Sequence, residues 1–278
     1  MTVTGYFLSM NQLVSLEENL PNLAPVEDPE VAQLIRSARG VVLPRGATEK
    51  RYRKITALAR AWFPNLDSRY AYPGKTTQSL LFRRLKVRHP TTFVYSDPQK
   101  LMDAEKGMLP LDYPFVLKGD LGGGGSAVFP VTSRNDLLHG LNRLPAERPV
   151  LIQKWIKHGG MDLRVVVVGA KTASYFRVGR GNFYNNACRG GRIHPEIFPE
   201  LQQSGLAAVA SFCRLAGINL AGFDLMFPDS GPPLFVEINY NFGRKGLGGT
   251  PGFRDLFRQA VELWMQGEAY PTIEKLRN

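Results

Sequence analysis

Residues 220–239 read LAGFDLMFPDSGPPLFVEIN and combine two apolar runs with acidic and amide side chains. The runs Leu220–Phe227 and Pro233–Asn239 flank a short sequence rich in proline, glycine and aspartate, a pattern that predicts a β-hairpin. Carboxylates inside apolar strands are unusual, because charged residues are rarely buried without a partner. This hairpin is therefore a candidate for part of a functional site.

The acidic residues of the hairpin predict a metal site. Side chains alternate across a strand, so Glu237 and Asn239 share one face, while Val236 and Ile238 should enter the core. Pairing of the two runs brings Asp224 close to the first face. Two carboxylates and an amide oxygen are hard ligands suited to Mg²⁺ held together with substrate phosphates. Ion pairs with surface lysines are the alternative, but they explain poorly why these residues lie within apolar strands.

A glycine-rich segment forms the second motif. It begins at Lys118 and includes Gly122, Gly123, Gly124, Gly125 and Ser126. Consecutive glycines let the backbone approach a ligand and aim several N–H groups at one anion. A P-loop ending in Gly74-Lys75-Thr76 does not fit, because Arg69 stands where its first glycine is needed. A Rossmann fingerprint does not fit either, because the four glycines lead into an extended segment instead of a helix. The segment fits a flap over phosphates, although a flexible surface turn would have the same composition.

The third set is rich in arginine and asparagine. Asp162 and Arg164 share a strand face, Arg177 follows on the next strand, and Asn186 lies in a polar segment at 185–192. Such side chains beside a metal–phosphate site can stabilise a transferring phosphoryl group. Surface salt bridges and a turn remain the alternative interpretation.

Periodicity along the rest of the chain predicts a small α/β lobe, over about the first seventy residues, followed by an α+β body. The expected strands are 40–44, 92–95, 113–118, 127–131, 150–153, 162–168, 173–178, 220–227 and 233–239, and the expected helices are 48–63, 75–86, 97–105, 133–141, 196–215 and 253–265.

Composition restricts the function classes. The net charge of +11 suits nucleic acid, a membrane surface or an acidic substrate, but the cations are spread along the chain and no RNA-recognition motif is present. No run of about 18 apolar residues occurs, so we expect no membrane span. The two cysteines form no CxxC pair, and the N-terminus resembles no signal peptide, which together favour a cytoplasmic protein.

Taken in order, these motifs resemble the ATP-grasp superfamily, nearest its RimK-like carboxylate–amine ligases. The resemblance runs from about residue 73 to 245. It implies an ATP-grasp fold with an N-terminal α/β lead-in (pre-ATP-grasp) domain at 1–73. A smaller subdomain with the glycine flap follows at 74–149, and a larger one with the metal site at 150–278. Family members are often oligomers, so a homo-oligomer is an expectation by analogy.

The resemblance also implies roles for residues. Lys75, Lys118 and the flap would hold the ATP phosphates, and the ATP-binding set would further include Gln153, Lys154, Ile156 and Asp162. Mg²⁺, with Mn²⁺ as a substitute, would be bound by Asp224, Glu237 and Asn239. The catalytic candidates would be Arg164, Arg177 and Asn186.

The implied activity is ADP-forming ligation of a carboxylate to an amine through an acyl phosphate. The chain departs from the family at Phe242, where RimK-like ligases have proline, and Arg244 and Lys245 follow, which suggests an acidic substrate. The sequence leaves two alternatives open. One is an ATP-grasp kinase of a polyol or inositol phosphate, and the other is a non-catalytic nucleotide- or RNA-binding protein.

Overall fold

The computed structural model describes residues 5–179, 191–229 and 231–272. The strands are β1 Phe7–Ser9, β2 Glu18–Asn19, β3 Gly40–Val42, β4 Trp62–Phe63, β5 Thr92–Tyr95, β6 Phe115–Gly119, β7 Val128–Val131, β8 Val150–Lys154, β9 Met161–Val168, β10 Lys171–Val178, β11 Arg192–His194, β12 Leu220–Met226 and β13 Leu234–Asn239. The helices are α1 Pro29–Ser37, α2 Glu49–Thr56, α3 Asp67–Ala71, α4 Lys75–Arg84, α5 Pro98–Glu105, α6 Arg134–Leu141, α7 Pro199–Ala216 and α8 Gly249–Met265.

The first sheet is parallel, with the strand order β2-β1-β3-β4. The helix predicted over 48–63 is wrong in its second half. Helix α2 ends at Thr56, and β4, near the end of the predicted helix, pairs with β3 as the last strand of this sheet. Pro64 follows directly and cannot continue a helix. Phe63 is fully buried and packs against Phe257 of α8, so tertiary packing outweighs the local helical spacing.

The second sheet is antiparallel, with the order β5-β8-β6-β7. Helices α5 and α6 contribute Leu101 and Leu137 to the hydrophobic cluster on this sheet. Strand β8 lies between β5 and β6, so Val150–Lys154 belongs to this sheet, although the larger subdomain is predicted to begin at residue 150. The domain limits at residues 73 and 149 stay predictions.

The third sheet is antiparallel, with the order β11-β10-β9-β12-β13, and it is covered on both faces. On β9, Val165 and Val167 join the cluster formed with α4 and α7, whereas Val166 and Val168 join the cluster formed with α8. Burial on both sides explains the unbroken run of four valines. Asp162 and Arg164 lie on the α8 side of this alternation, towards the opposite end of the strand.

An irregularity between β12 and β13 changes one sequence prediction. Asp224 pairs with Glu237, but the next residue, Leu225, pairs with Phe235, which leaves Val236 as the extra residue of a β-bulge. Phe235 and Ile238 therefore enter the core, and Val236 lines a cleft instead of packing in the core as expected. The bulge shifts by one residue the alternation of core-facing and cleft-facing side chains, directly before Glu237.

Candidate functional site

A cleft between the second and third sheets collects most of the predicted binding residues. Members from both sheets and from α4 line it, namely Lys75, Lys118, Gly122, Gly125, Gln153, Lys154, Ile156, Asp162, Asp224 and Glu237. A neighbouring cavity of about 360 Å³ shares Gly125, Asp224 and Glu237 with the cleft and adds Gly124, Arg164, Arg177 and Asn239. Gly123 and Ser126 line neither of these two spaces.

Lys118 supplies a buried positive charge at the end of β6. Its Nζ donates to Gln153 Oε1 at 2.6 Å, and Gln153 Nε2 donates in turn to Thr92 Oγ1 at 2.9 Å, which fixes both side chains. Burial lowers the pKa of Lys118 to about 8, with a smaller lowering from Lys75 and opposing contributions from Glu237 and Asp224. A buried ammonium with a lowered pKa is well suited to gain from an arriving anion.

Lys75 connects α4 to the glycine flap and to the acidic cluster. Its Nζ donates to the Gly122 carbonyl at 2.7 Å and lies 3.5 Å from Glu237 Oε1. The backbone of the flap reaches this position because Gly122, Gly124 and Gly125 adopt φ values of 122°, 60° and 78°. Side chains rarely tolerate such angles, so the glycines are required by the conformation of the flap.

Asp120 holds the flap and α4 together, a role that the sequence motifs did not reveal. Helix α4 begins after Gly74, which has no side chain to cap it. Asp120 supplies the cap from the end of β6, since its Oδ1 accepts from Thr76 N at 2.9 Å and from Thr76 Oγ1 at 2.5 Å. The Lys75 amide also donates to the Asp120 carbonyl at 3.0 Å.

Two aspartates and two arginines form a buried network beneath the cleft. Arg177 donates to Asp162 through Nε at 2.7 Å and through Nη2 at 2.6 Å, and its Nη2 lies 3.0 Å from Asp224 Oδ1. Arg164 Nε donates to the same Asp224 oxygen at 2.5 Å. Burial alone raises the pKa of Asp224, but the two arginines outweigh it and lower the pKa to about 2. Asp224 is therefore a carboxylate throughout the physiological range.

The predicted metal ligands lie together, as the hairpin required. Asn239 Nδ2 donates to Asp224 Oδ2 at 3.1 Å, and Glu237 is the strand partner of Asp224. All three side chains line the same cavity. Among the described residues there is no group of three or more His, Cys, Asp or Glu side chains suited to a metal. The candidate set is thus two carboxylates plus an amide, a hard-oxygen donor set that fits Mg²⁺ bound together with phosphates.

The remaining predicted residue, Asn186, lies outside the described residues. Phe242 and Lys245 line the cavity beside Arg164, so the loop that departs from the family pattern faces the site. Tyr175 lines the same cavity, and its ring packs so closely on Gly246 that a side chain there would overlap it. No motif singled out Tyr175, because an aromatic residue within a strand is ordinary.

Comparison with solved structures identifies the architecture. D-alanine–D-alanine ligase from Bacillus anthracis superposes with a TM-score of 0.60 at 15% identity, covering 94% of this chain and 95% of that one. A RimK domain ATP-grasp protein from Sphaerobacter thermophilus gives a TM-score of 0.56 at 17% identity, covering 80% and 81%. The chain has the ATP-grasp fold. The glycine flap and the hairpin bearing Asp224 and Glu237 thus belong to an ATP-grasp architecture.

Sequence comparison relates this ATP-grasp chain to ligases. Human N-acetylaspartylglutamate synthase A is 30% identical over 162 residues, which are 56% of this chain and 40% of that protein. A probable α-L-glutamate ligase from Aliivibrio salmonicida (strain LFI1238) is 36% identical over 107 residues, which are 37% and 34% of the two chains. The matches therefore span less than half the length of either relative. No protein-family model matches the chain.

Within the described residues, no helix is both long enough and apolar enough to cross a bilayer.

Proposed function

We propose that the chain is an ATP-dependent ligase that joins a carboxylate to an amine through an acyl phosphate. The observation that carries this proposal is the convergence of Lys75, Lys118 and the glycine flap on the carboxylates of Asp224 and Glu237. Similarity to a synthase and to a glutamate ligase supports the same reaction class. The ATP-grasp fold supports ATP as the phosphoryl donor.

The cleft residues would position the nucleotide. Lys118 and Lys75 supply charges for the phosphates, and Gln153, Lys154 and Ile156 line the region where the adenine would lie. Asp224, Glu237 and Asn239 would hold Mg²⁺, which when bound neutralises charge on the phosphates. Arg177, which lines the cavity beside this set and is held in place by Asp162 and Asp224, would orient the substrate.

The reaction would proceed in two displacements. A carboxylate oxygen of the acid attacks the γ-phosphorus of ATP, the bond to the β-phosphate oxygen breaks, and ADP leaves. The amine nitrogen then attacks the acyl carbon, the carbon–oxygen bond to phosphate breaks, and the proton lost by nitrogen departs with the phosphate. Arg164 and Arg177, buried and fixed by Asp224 and Asp162, would stabilise the negative charge that develops on the transferring group.

The test is substrate-dependent ADP release. The purified chain is incubated with ATP, Mg²⁺ and pools of carboxylic acids and amino acids, beside Glu237→Gln and the control Glu262→Gln, an exposed glutamate of α8. Release of ADP and phosphate that depends on the pool, is lost in Glu237→Gln and is kept in Glu262→Gln would support the proposal. Mass spectrometry must then find an amide. A phosphoester product would instead indicate a kinase, and failure to bind Mg–ATP at millimolar concentration would refute the nucleotide site.

A further inference from the structure

A second cavity, separate from the nucleotide cleft, lies against the first sheet. Its volume is about 660 Å³. Its walls come from the segments that follow β1, β3 and β4, from the loop Tyr240–Arg244, and from helices α3 and α8. The cavity is thus formed where the N-terminal sheet faces the loop after the acidic hairpin.

The topology of the first sheet favours a ligand at this place. The three strands β1, β3 and β4 are parallel, and the cavity is lined by residues just beyond their carboxyl ends, including Asn11 after β1 and Arg45 after β3. In the strand order β2-β1-β3-β4, β2 lies on one side of β1, and the next strand along the chain, β3, lies on the other side of β1. The direction in which strands are added to the sheet therefore reverses at β1. Ligands of open α/β sheets bind in the crevice at such a reversal of strand order.

The charge of the cavity is strongly one-sided. Arg45, Arg69 and Arg244 line it, and no aspartate or glutamate is among the described residues of its lining. Across the described ranges, none of these three arginines forms an ion pair, whereas Arg53 nearby on α2 pairs with both Glu49 and Asp67. Arginine stays charged at physiological pH and suits carboxylate and phosphate groups, so the arrangement leaves positive charge available to an anionic ligand.

Packing holds this charge in place. The Arg244 guanidinium lies 4.5 Å from the centre of the Phe253 ring, and its Nη1 donates to Thr250 Oγ1 at 3.4 Å. Burial and the charge of Arg45 lower the pKa of Arg244, so these two like charges act on each other. The buried Tyr240 hydroxyl has no hydrogen-bond partner among the described residues. An anion between the arginines would relieve the repulsion.

The second cavity adjoins the reacting site. Asn241, Phe242 and Gly243 line both this cavity and the one beside Arg164 and Glu237. The next two residues are both cationic, and they face different spaces: Arg244 lines the second cavity, whereas Lys245 lines the cavity beside Arg164. A single substrate could therefore place one group at the phosphoryl-transfer site and another beyond the Phe242 loop.

We propose that the second cavity is a subsite for a carboxylate or phosphate group that belongs to one substrate and does not itself react. Arg45, Arg69 and Arg244 bind this anionic group, and the loop of Phe242 lies between it and the reacting centre. This inference rests on the proposed ligase function and deepens it. It requires a substrate with a second anionic group, held away from the group that is ligated.

Anion binding tests the subsite directly. The full chain is saturated with Mg–AMP-PNP, so that the nucleotide cleft is filled, and is titrated calorimetrically with orthophosphate and, separately, with glutarate. Arg45→Gln and Arg69→Gln are compared with Arg36→Gln, which removes an exposed arginine of α1 outside these cavities. We expect each cavity variant to weaken binding at least about tenfold, because a charge-assisted hydrogen bond contributes about one order of magnitude in affinity.

The outcomes separate the subsite from the proposed reaction. Weaker anion binding in Arg45→Gln and Arg69→Gln, with partial recovery in Arg69→Lys and unchanged AMP-PNP affinity, supports the subsite, and the tighter probe identifies carboxylate or phosphate as its ligand. No binding of either probe, or equal binding by the variants and wild type, overturns it. If AMP-PNP does not bind, the proposed function fails on its own, and titration of the nucleotide-free Lys118→Met protein, whose phosphate site is weakened, still decides the subsite.

Discussion

Binding of nucleotide should depend on pH through Lys118. Burial lowers the pKa of this lysine to about 8 in the empty site, with further effects from Lys75 and from the carboxylates of Glu237 and Asp224. A triphosphate beside Nζ favours the ammonium form, so binding should take up a proton wherever the empty protein has lost it. Affinity is therefore constant well below pH 8 and falls as the pH rises above it.

The magnitude follows from the fraction of protein that carries the ammonium. With a pKa of about 8, roughly one molecule in eleven is protonated at pH 9, so the apparent dissociation constant should rise about tenfold between pH 7 and pH 9. At pH 8 we expect the uptake of about half a proton per nucleotide. Because the ordinary pKa of lysine is 10.5, the unfolded chain keeps this proton to a higher pH than the native protein does. The stability of the empty protein should thus rise by up to roughly 3 kcal/mol as the pH increases from 8 to 10.5.

Calorimetry between pH 7 and 9.5, in buffers of different ionisation enthalpy, measures both affinity and proton uptake. Lys118→Arg is the matched control, because arginine keeps its charge over this range and should bind with little pH dependence. An affinity that does not change up to pH 9.5, or a slope that persists in Lys118→Arg, would refute the assignment of the titrating group to Lys118.

Three further changes test the packing of the site. Arg177→Met should lower the free energy of unfolding by about 3–5 kcal/mol in urea titrations, because Asp162 is left buried without its bidentate partner; the double variant with Asp162→Asn should recover part of the loss, and additive losses would contradict the pairing. Asp120→Ala should weaken AMP-PNP binding and cost about 1 kcal/mol of stability, since α4 loses its cap, and an unchanged melting temperature would count against this. Phe242→Ala should broaden the range of accepted substrates in the ADP-release assay by opening the shared wall of the two cavities, whereas an identical substrate profile would show that this wall does not select.

Local patterns predicted much of the fold because the decisive signals are short-range. Asp97 and Ser133 begin α5 and α6 as N-caps, and the two apolar runs around 220–239 pair as a hairpin. The error at 57–63 arises because burial of Phe63 against α8 depends on residues almost two hundred positions away. Residues 192–194 form β11 beside β10, and this strand was not predicted because it is too short to show an alternation of apolar and polar side chains.

The sequence predicted which residue types lie together at the candidate site, but not the contacts between them. The predicted hairpin and the alternation of side chains grouped Asp224, Glu237 and Asn239, and the structure brings these three together. The bidentate contact of Arg177 with Asp162 follows from the register of β9 against β10, which the turn at Gly169 sets. Similarly, the position of Val236 depends on a one-residue bulge that strict alternation excludes.

The contact between Asp120 and α4 has an evolutionary consequence. A side chain at Gly74 would overlap the Asp120 carboxylate, so neither position can change freely while the other is kept. Serine or aspartate at position 74 could cap α4 from within the helix, and a small residue at 120 would then be tolerated. We therefore expect homologous chains to show two coupled states, glycine with aspartate or a polar cap with a small residue. Chains that mix the two should be rare.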